Sequence, residues 1–241
     1  MKKFLIFGLV SICLMGCACA VENIEKGSIS VTSEETMELD PTTVKISFSI
    51  ETKANNAQTA TELNKKASQN AINSVKSLID TNKKETMKTT SFNIHPEYSY
   101  KDGQNKLIGY RASNTLQVTL KDVEKAGKII STALANGANS VSGLQFILDE
   151  TNDACNSLIQ KASKNARLRA DKVAESIGTS IAGIRRLNTS CSANQGYRSN
   201  FAYMNSKALG AADEMAADNS IPIEVGKNQI RATVSAEFYV K

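Results

Sequence analysis

Residues 44–51 alternate without a break: Val44, Ile46, Phe48 and Ile50 are apolar, and Lys45, Ser47, Ser49 and Glu51 are polar. A period of two with β-branched residues predicts a strand with one dry face and one wet face. The period then lengthens. Ala60, Leu63, Ala67, Ala71, Val75 and Leu78 recur every three or four positions, predicting an amphipathic helix of about 25 residues, roughly 37 Å long. Its other face is Asn, Lys, Gln and Ser, and the Lys65-Lys66 pair reads as solvated. A half-buried strand followed by such a helix constrains the chain to a layered structure, because the dry face of a sheet has to be covered.

The remainder extends that pattern. Residues 28–31 begin a strand, and Asp40-Pro41 marks a turn, since proline fixes its own φ and restricts its neighbour. Residues 88–100, with Phe92 and Ile94, and residues 107–120, with alternating Leu116, Val118 and Leu120, read as strands joined through the hairpin-type turn Asp102-Gly103. A short helix over 123–135 is closed by Asn136-Gly137, and a strand follows over 140–148. Asn152 or Asp153 can cap a second long helix, with the stripe Leu158, Ala162, Ala166, Ala170, Val173 and Ile177, ended by Gly178. Strands over 181–187 and 229–240 complete the order. The fold class is therefore α+β: antiparallel or mixed sheets packed by two long helices and one short helix. Each half of the chain supplies one long helix, which leaves open a division into two subdomains. Residues 192–219 are polar and aperiodic and are expected to form a long mobile loop.

Residues 1–20 place a basic start, Met1-Lys2-Lys3, before an apolar run and a small-residue end, Gly16-Cys17-Ala18-Cys19-Ala20. That order is the pattern of a secretory signal peptide, and the run is shorter than a membrane span requires. Ala18-Cys19-Ala20 fits cleavage before Val21. Leu14-Met15-Gly16-Cys17 also resembles a lipobox, in which Cys17 would be lipidated and the protein anchored to the membrane. The expected location is the periplasm or cell envelope, with membrane contact only through a lipid on Cys17. Losing Lys2 and Lys3 lowers the formal charge from +5 to +3. The remaining cations are scattered among acids, so no nucleic-acid footprint is present. Tryptophan is absent and aromatics are few, which argues against stacking platforms.

Chemistry-bearing groups do not gather in the sequence. The single histidine, His95, precedes Pro96 in a strand, and no nucleophile–base set can be built around it. No nucleophile elbow or phosphate-binding glycine loop occurs. The acidic pairs Glu34-Glu35 and Asp149-Glu150 read as solvated turns at strand ends. No catalytic residue, cofactor or metal site is assigned. Outside the leader the cysteines are Cys155 and Cys191. Their spacing suits no zinc site, and in an oxidising compartment a disulfide between them is expected, with two buried thiols as the alternative. The helix after Cys155 and the strand before Cys191 have matching lengths, roughly 33 Å each, so a strand folding back along the helix would bring the two sulfurs to one end.

Several segments together resemble one family. Gly109-Tyr110-Arg111-Ala112-Ser113-Asn114 before an alternating strand is similar to a segment typical of SIMPL-domain proteins. In the same order stand Asp40-Pro41, then Asn136-Gly137-Ala138-Asn139 with Gly143 and Phe146. The alanine-rich helix with Ala170, Lys172 and Ala174, and Ile221-Pro222-Ile223-Glu224-Val225-Gly226 before the last strand, follow. The match covers essentially residues 28–241, so 21–241 is expected to be one SIMPL-like domain. Val31-Thr32-Ser33-Glu34-Glu35 departs from the glycine-rich stretch common there, which puts the local turn in doubt. The resemblance implies an exported α+β envelope protein associated with oxidative-stress defence, with no established reaction and no functional residues to carry across. The expectation is a non-enzymatic envelope protein that self-assembles, as a homo-oligomer, or binds other envelope proteins and contributes to stress tolerance. The alternative is a redox or scavenging protein using Cys155 and Cys191.

Overall fold

The computed structural model describes residues 27–101, 103–193, 198–199 and 220–241. The leader with Cys17 lies outside the described residues, as does most of the expected 192–219 loop.

Two antiparallel sheets form the body. The larger has the order β3-β4-β2-β5-β7, built from β2 (Thr43–Ala54), β3 (Thr86–Lys101), β4 (Gln104–Leu120), β5 (Ser140–Ile147) and the two-residue β7 (Arg198–Ser199). The smaller has the order β1-β8-β6, from β1 (Ser28–Leu39), β6 (Ile181–Ala193) and β8 (Asn228–Val240). Helices α1 (Ala57–Lys76) and α2 (Ala126–Ala135) cover the first sheet, and α3 (Asn152–Ser176) covers the second. Because β1 pairs with β8 along its whole length, the two layers are not successive halves of the chain. The segment from β2 to β5 is inserted between β1 and α3.

The larger core follows from the alternation of β2. Val44, Ile46, Phe48 and Ile50 are all buried, Leu116, Val118 and Leu120 of β4 stand beside them in the sheet, and Ile129 and Ala133 of α2 pack in the same core. Helix α1 departs from its sequence stripe. It spans 20 residues, and Leu63 is 47% exposed while Asn64 and Ser68 are buried. The polar pair belongs inside because it has partners. Asn64 Nδ2 donates to the carbonyls of Ile50 (2.7 Å) and Ala112 (3.0 Å), Ser68 donates to Asn64 Oδ1 at 3.2 Å, and Asn114 donates to Ser68 at 2.9 Å. The network fastens α1 to β2 and β4. A second buried polar anchor is Glu85. Its Oε2 accepts the Asp80 amide at 2.8 Å and its Oε1 accepts the amides of Lys121 (3.2 Å) and Asp122 (3.4 Å).

The smaller core is thinner. Four alanines of α3 (Ala162, Ala166, Ala170 and Ala174) pack with Ile29, Val234 and Phe238, and Leu158 packs with Ile230 and Ala232. The stripe ends on Ala174, not on Val173 and Ile177. The i+4 spacing persists to the end of the helix, and Ile177 is 65% exposed. The helix begins after Thr151 without a side-chain cap from Asn152 or Asp153. Strand β6 runs six residues past its expected end, to Ala193, and Arg198–Ser199 pair with β5. Part of the region read as loop is thus strand, its backbone bonds supplied by β8 and β5. Strand β1 also runs further, through Glu34 and Glu35 to Leu39, so the stretch that departs from the family pattern is strand rather than turn.

Candidate interaction surface: the β3–β4 arm

β3 and β4 outrun the sheet that carries them. β2 ends at Ala54, opposite Tyr110, whereas the β3–β4 pairing continues outward to Lys101 opposite Gln104. Among the described residues, the outer part of the hairpin, 98–101 and 104–109, therefore pairs only within itself. Gly109 marks the exit: a Cβ there would stand 2.8 Å from the Ala54 carbonyl oxygen, so a side chain would push β4 off the end of β2. One step inward, charges from three strands lock the root. Arg111 Nε donates to Glu97 at 2.6 Å, its Nη1 reaches Glu51 at 3.1 Å, and Lys53 stands 3.0 Å from Glu97.

Hydrogen bonds from Lys53 and Arg111 hold the Glu97 carboxyl below its ordinary range, outweighing the opposing effect of desolvation, and the same pairing raises Arg111. A depressed carboxylate pKa means that the root is fully tied above the unfolded value, about 4.3 for glutamate, and loosens as pH falls through the folded value. A carbon-detected titration should place the Glu97 midpoint below that of an unperturbed glutamate, and Arg111→Ala should raise it. A midpoint that ignores that substitution would show that the cluster does not act on Glu97.

Beyond this root the arm displays Tyr98, Tyr100, Leu107 and Ile108, with Tyr100 76% exposed. Phe92 and Ile94 of β3 add to the same edge of the sheet, also exposed. Among the described residues β3 has β4 on one side and no strand on the other, so it carries a long row of backbone groups open to pairing. Pro96 removes one donor from that row. Sequence reading located this hairpin but not its projection, which depends on where β2 stops.

The other candidates do not converge. His95 is exposed and lies opposite Arg111 in the hairpin. Glu34 pairs with Arg231 at 3.3 Å, and Glu35 with Lys161 at 2.8 Å and Asn165 at 2.6 Å. These acids are thus strand residues with partners, not solvated turns. Asp149 is likewise bound, to Thr43 and Lys121. Cys155 and Cys191 form a disulfide with Cα atoms 5.8 Å apart. Among the described residues no group of three or more His, Cys, Asp or Glu side chains could hold a metal, and no helix is long and apolar enough to cross a membrane.

Comparison with known proteins places this geometry. The chain is 27% identical over 255 residues to the 26 kDa periplasmic immunogenic protein of Brucella melitensis biotype 1, covering all of this chain and 98% of that one. It is 26% identical over 148 residues to the uncharacterized protein YggE of Escherichia coli (strain K12), covering 60% and 58% of the two chains. YggE of Edwardsiella ictaluri is 32% identical over 87 residues, 36% of each chain. Residues 29–238 match the model of the SIMPL family, described as proteins of unknown function (DUF541), and the chain belongs to that family.

Proposed function

We propose that this chain is an exported protein of the periplasm or cell envelope that acts by assembly rather than by chemistry. Copies of it join through the β3–β4 arm, and any contribution to stress tolerance, oxidative stress included, rests on that assembly. The observation that carries the reading is the arm itself: four large apolar or aromatic side chains on a hairpin that projects past its sheet. Exposed apolar surface of this kind is costly to a monomer and marks interaction sites. Export is supported by the leader pattern of residues 1–20 and by the periplasmic description of the Brucella relatives. The redox alternative has less support, because Cys155 and Cys191 are bonded to each other beside Leu158 and Ala232, with no further thiol among the described residues.

Light scattering on the mature chain tests the assembly. The expected mass is an integral multiple of the protomer, and the triple substitution Tyr98→Ser, Tyr100→Ser, Ile108→Ser should reduce it to one protomer with an unchanged circular dichroism spectrum. A wild-type mass of one protomer at every concentration tried would overturn the reading.

A further inference from the structure

A cleft of about 560 Å³ is lined by residues of β2, α1 and the end of α2, and by none of the apolar side chains at the tip of the arm. Its lining includes the apolar Leu63, Ala67 and Ala135 and the polar Lys53, Lys66 and Asn70. Gly137 shapes one wall. It has φ +120°, and a Cβ would meet the Ala67 carbonyl oxygen at 2.7 Å. Glycine there lets the end of α2 close against α1.

One wall of the cleft is an unfinished strand edge. β5 begins at Ser140, opposite Ser49. Two positions further along β2, the Asn139 side chain does the work of a strand residue: its Oδ1 accepts the Glu51 amide at 3.0 Å and its Nδ2 donates to the Glu51 carbonyl at 2.6 Å. Backbone groups of an antiparallel strand alternate between its two neighbours. Ser49 and Glu51 turn theirs toward β5, so Lys53 turns its amide and carbonyl the same way, past the end of β5 and into the cleft. The end of α2 adds carbonyl oxygens. Those of Thr132 and Ala133 are taken by the Asn136 side chain and by the amides of Asn136 and Ala138, and the carbonyls beyond them have no helical partner.

The cleft thus asks for two things at once. Lys66, with no ion pair among the described residues, favours an anion. The Lys53 carbonyl and the end of α2 favour an N–H donor. A bare anion satisfies only the first, whereas the end of a peptide satisfies both. We infer that this cleft binds the C-terminus of an extended peptide: the terminal carboxylate meets Lys66, one peptide unit pairs with the Lys53 backbone as an added strand, and an apolar last side chain rests on Leu63 and Ala67. The inference is independent of assembly through the arm.

Fluorescence anisotropy on the full mature chain tests it. The probe is a labelled pool of tetrapeptides randomised at the last two positions, made once with a free C-terminal carboxylate and once amidated. The free acids should bind saturably and the amides about tenfold more weakly. Lys66→Glu should abolish binding, while Lys65→Glu, one residue away and outside the cleft, should leave it unchanged. Equal binding of the two pools, equal effects of the two substitutions, or no saturable binding would overturn the inference. Displacement by inorganic phosphate without discrimination between the pools would mark a simple anion site and would also overturn it.

Discussion

Asn64→Ala should lower the stability of the mature protein by about 3 kcal/mol, while Leu63→Ala costs less than about 1 kcal/mol. Asn64 is fully buried and Leu63 is nearly half exposed, so truncating the leucine removes little buried surface and leaves no polar group stranded. Truncating the asparagine strips a donor from the Ile50 and Ala112 carbonyls, removes the acceptor of the Ser68 hydroxyl, and leaves a void. Each buried group left unpaired costs about 1 kcal/mol or more. For a domain of this size the total corresponds to a fall in melting temperature of about 6–12 °C. Thermal unfolding of both variants, at equal protein concentration so that assembly does not shift the midpoints, checks the order. A larger loss for Leu63→Ala would mean that α1 docks on its Leu63 stripe instead.

That pair of residues shows where the sequence was legible and where it was not. The alternation in β2, β4 and β8 identified the dry faces correctly, because a strand has only two faces and one choice settles every position. A helix has no such restriction. On α1 the apolar rule chose Ala60, Ala71 and Val75, which are buried, but also Leu63, where the side chains turned inward are Asn64 and Ser68, whose partners are backbone carbonyls and an asparagine far along the chain. No local pattern encodes those partners. On α3 the misplacement is smaller: small residues already supported Ala162, Ala166 and Ala170, and the stripe needed only to be carried on by four to Ala174 rather than moved to Val173. The arm and the cleft were invisible for a different reason. Both arise where one strand stops before its neighbours, β2 at Ala54 and β5 at Ser140, and strand ends are the least determined feature of a sequence pattern. Asn139 appeared in the sequence only as part of a family segment, and its role in finishing the β2 ladder became visible with the pairing.

Removing the bond between Cys155 and Cys191 should cost about 2–4 kcal/mol, and the loss should be felt unevenly. The two cysteines are 36 residues apart, and the loop they close contains nearly all of α3 and β6. Reduction frees that loop in the unfolded chain and so stabilises the unfolded state. The folded module has little to oppose this. α3 meets its sheet mainly through alanines, each contributing about 0.8 kcal/mol as a single buried methyl group. Among the described residues strand β6 is an edge strand, with Ile184 and Leu187 left exposed. The five-stranded sheet has its own core of Val44, Ile46, Phe48 and Leu116 and does not share the tie. In Cys155→Ser, or in reduced wild type, amides of α3 and β6 should exchange with solvent faster, and those of β2 and β4 should be unchanged. Non-reducing peptide mapping of protein made in the periplasm should recover the two cysteines in one linked fragment. Two free thiols in that sample would remove the bond from the account of stability. Uniform acceleration across both sheets would show that the layers unfold as one unit and that the tie supports the whole chain.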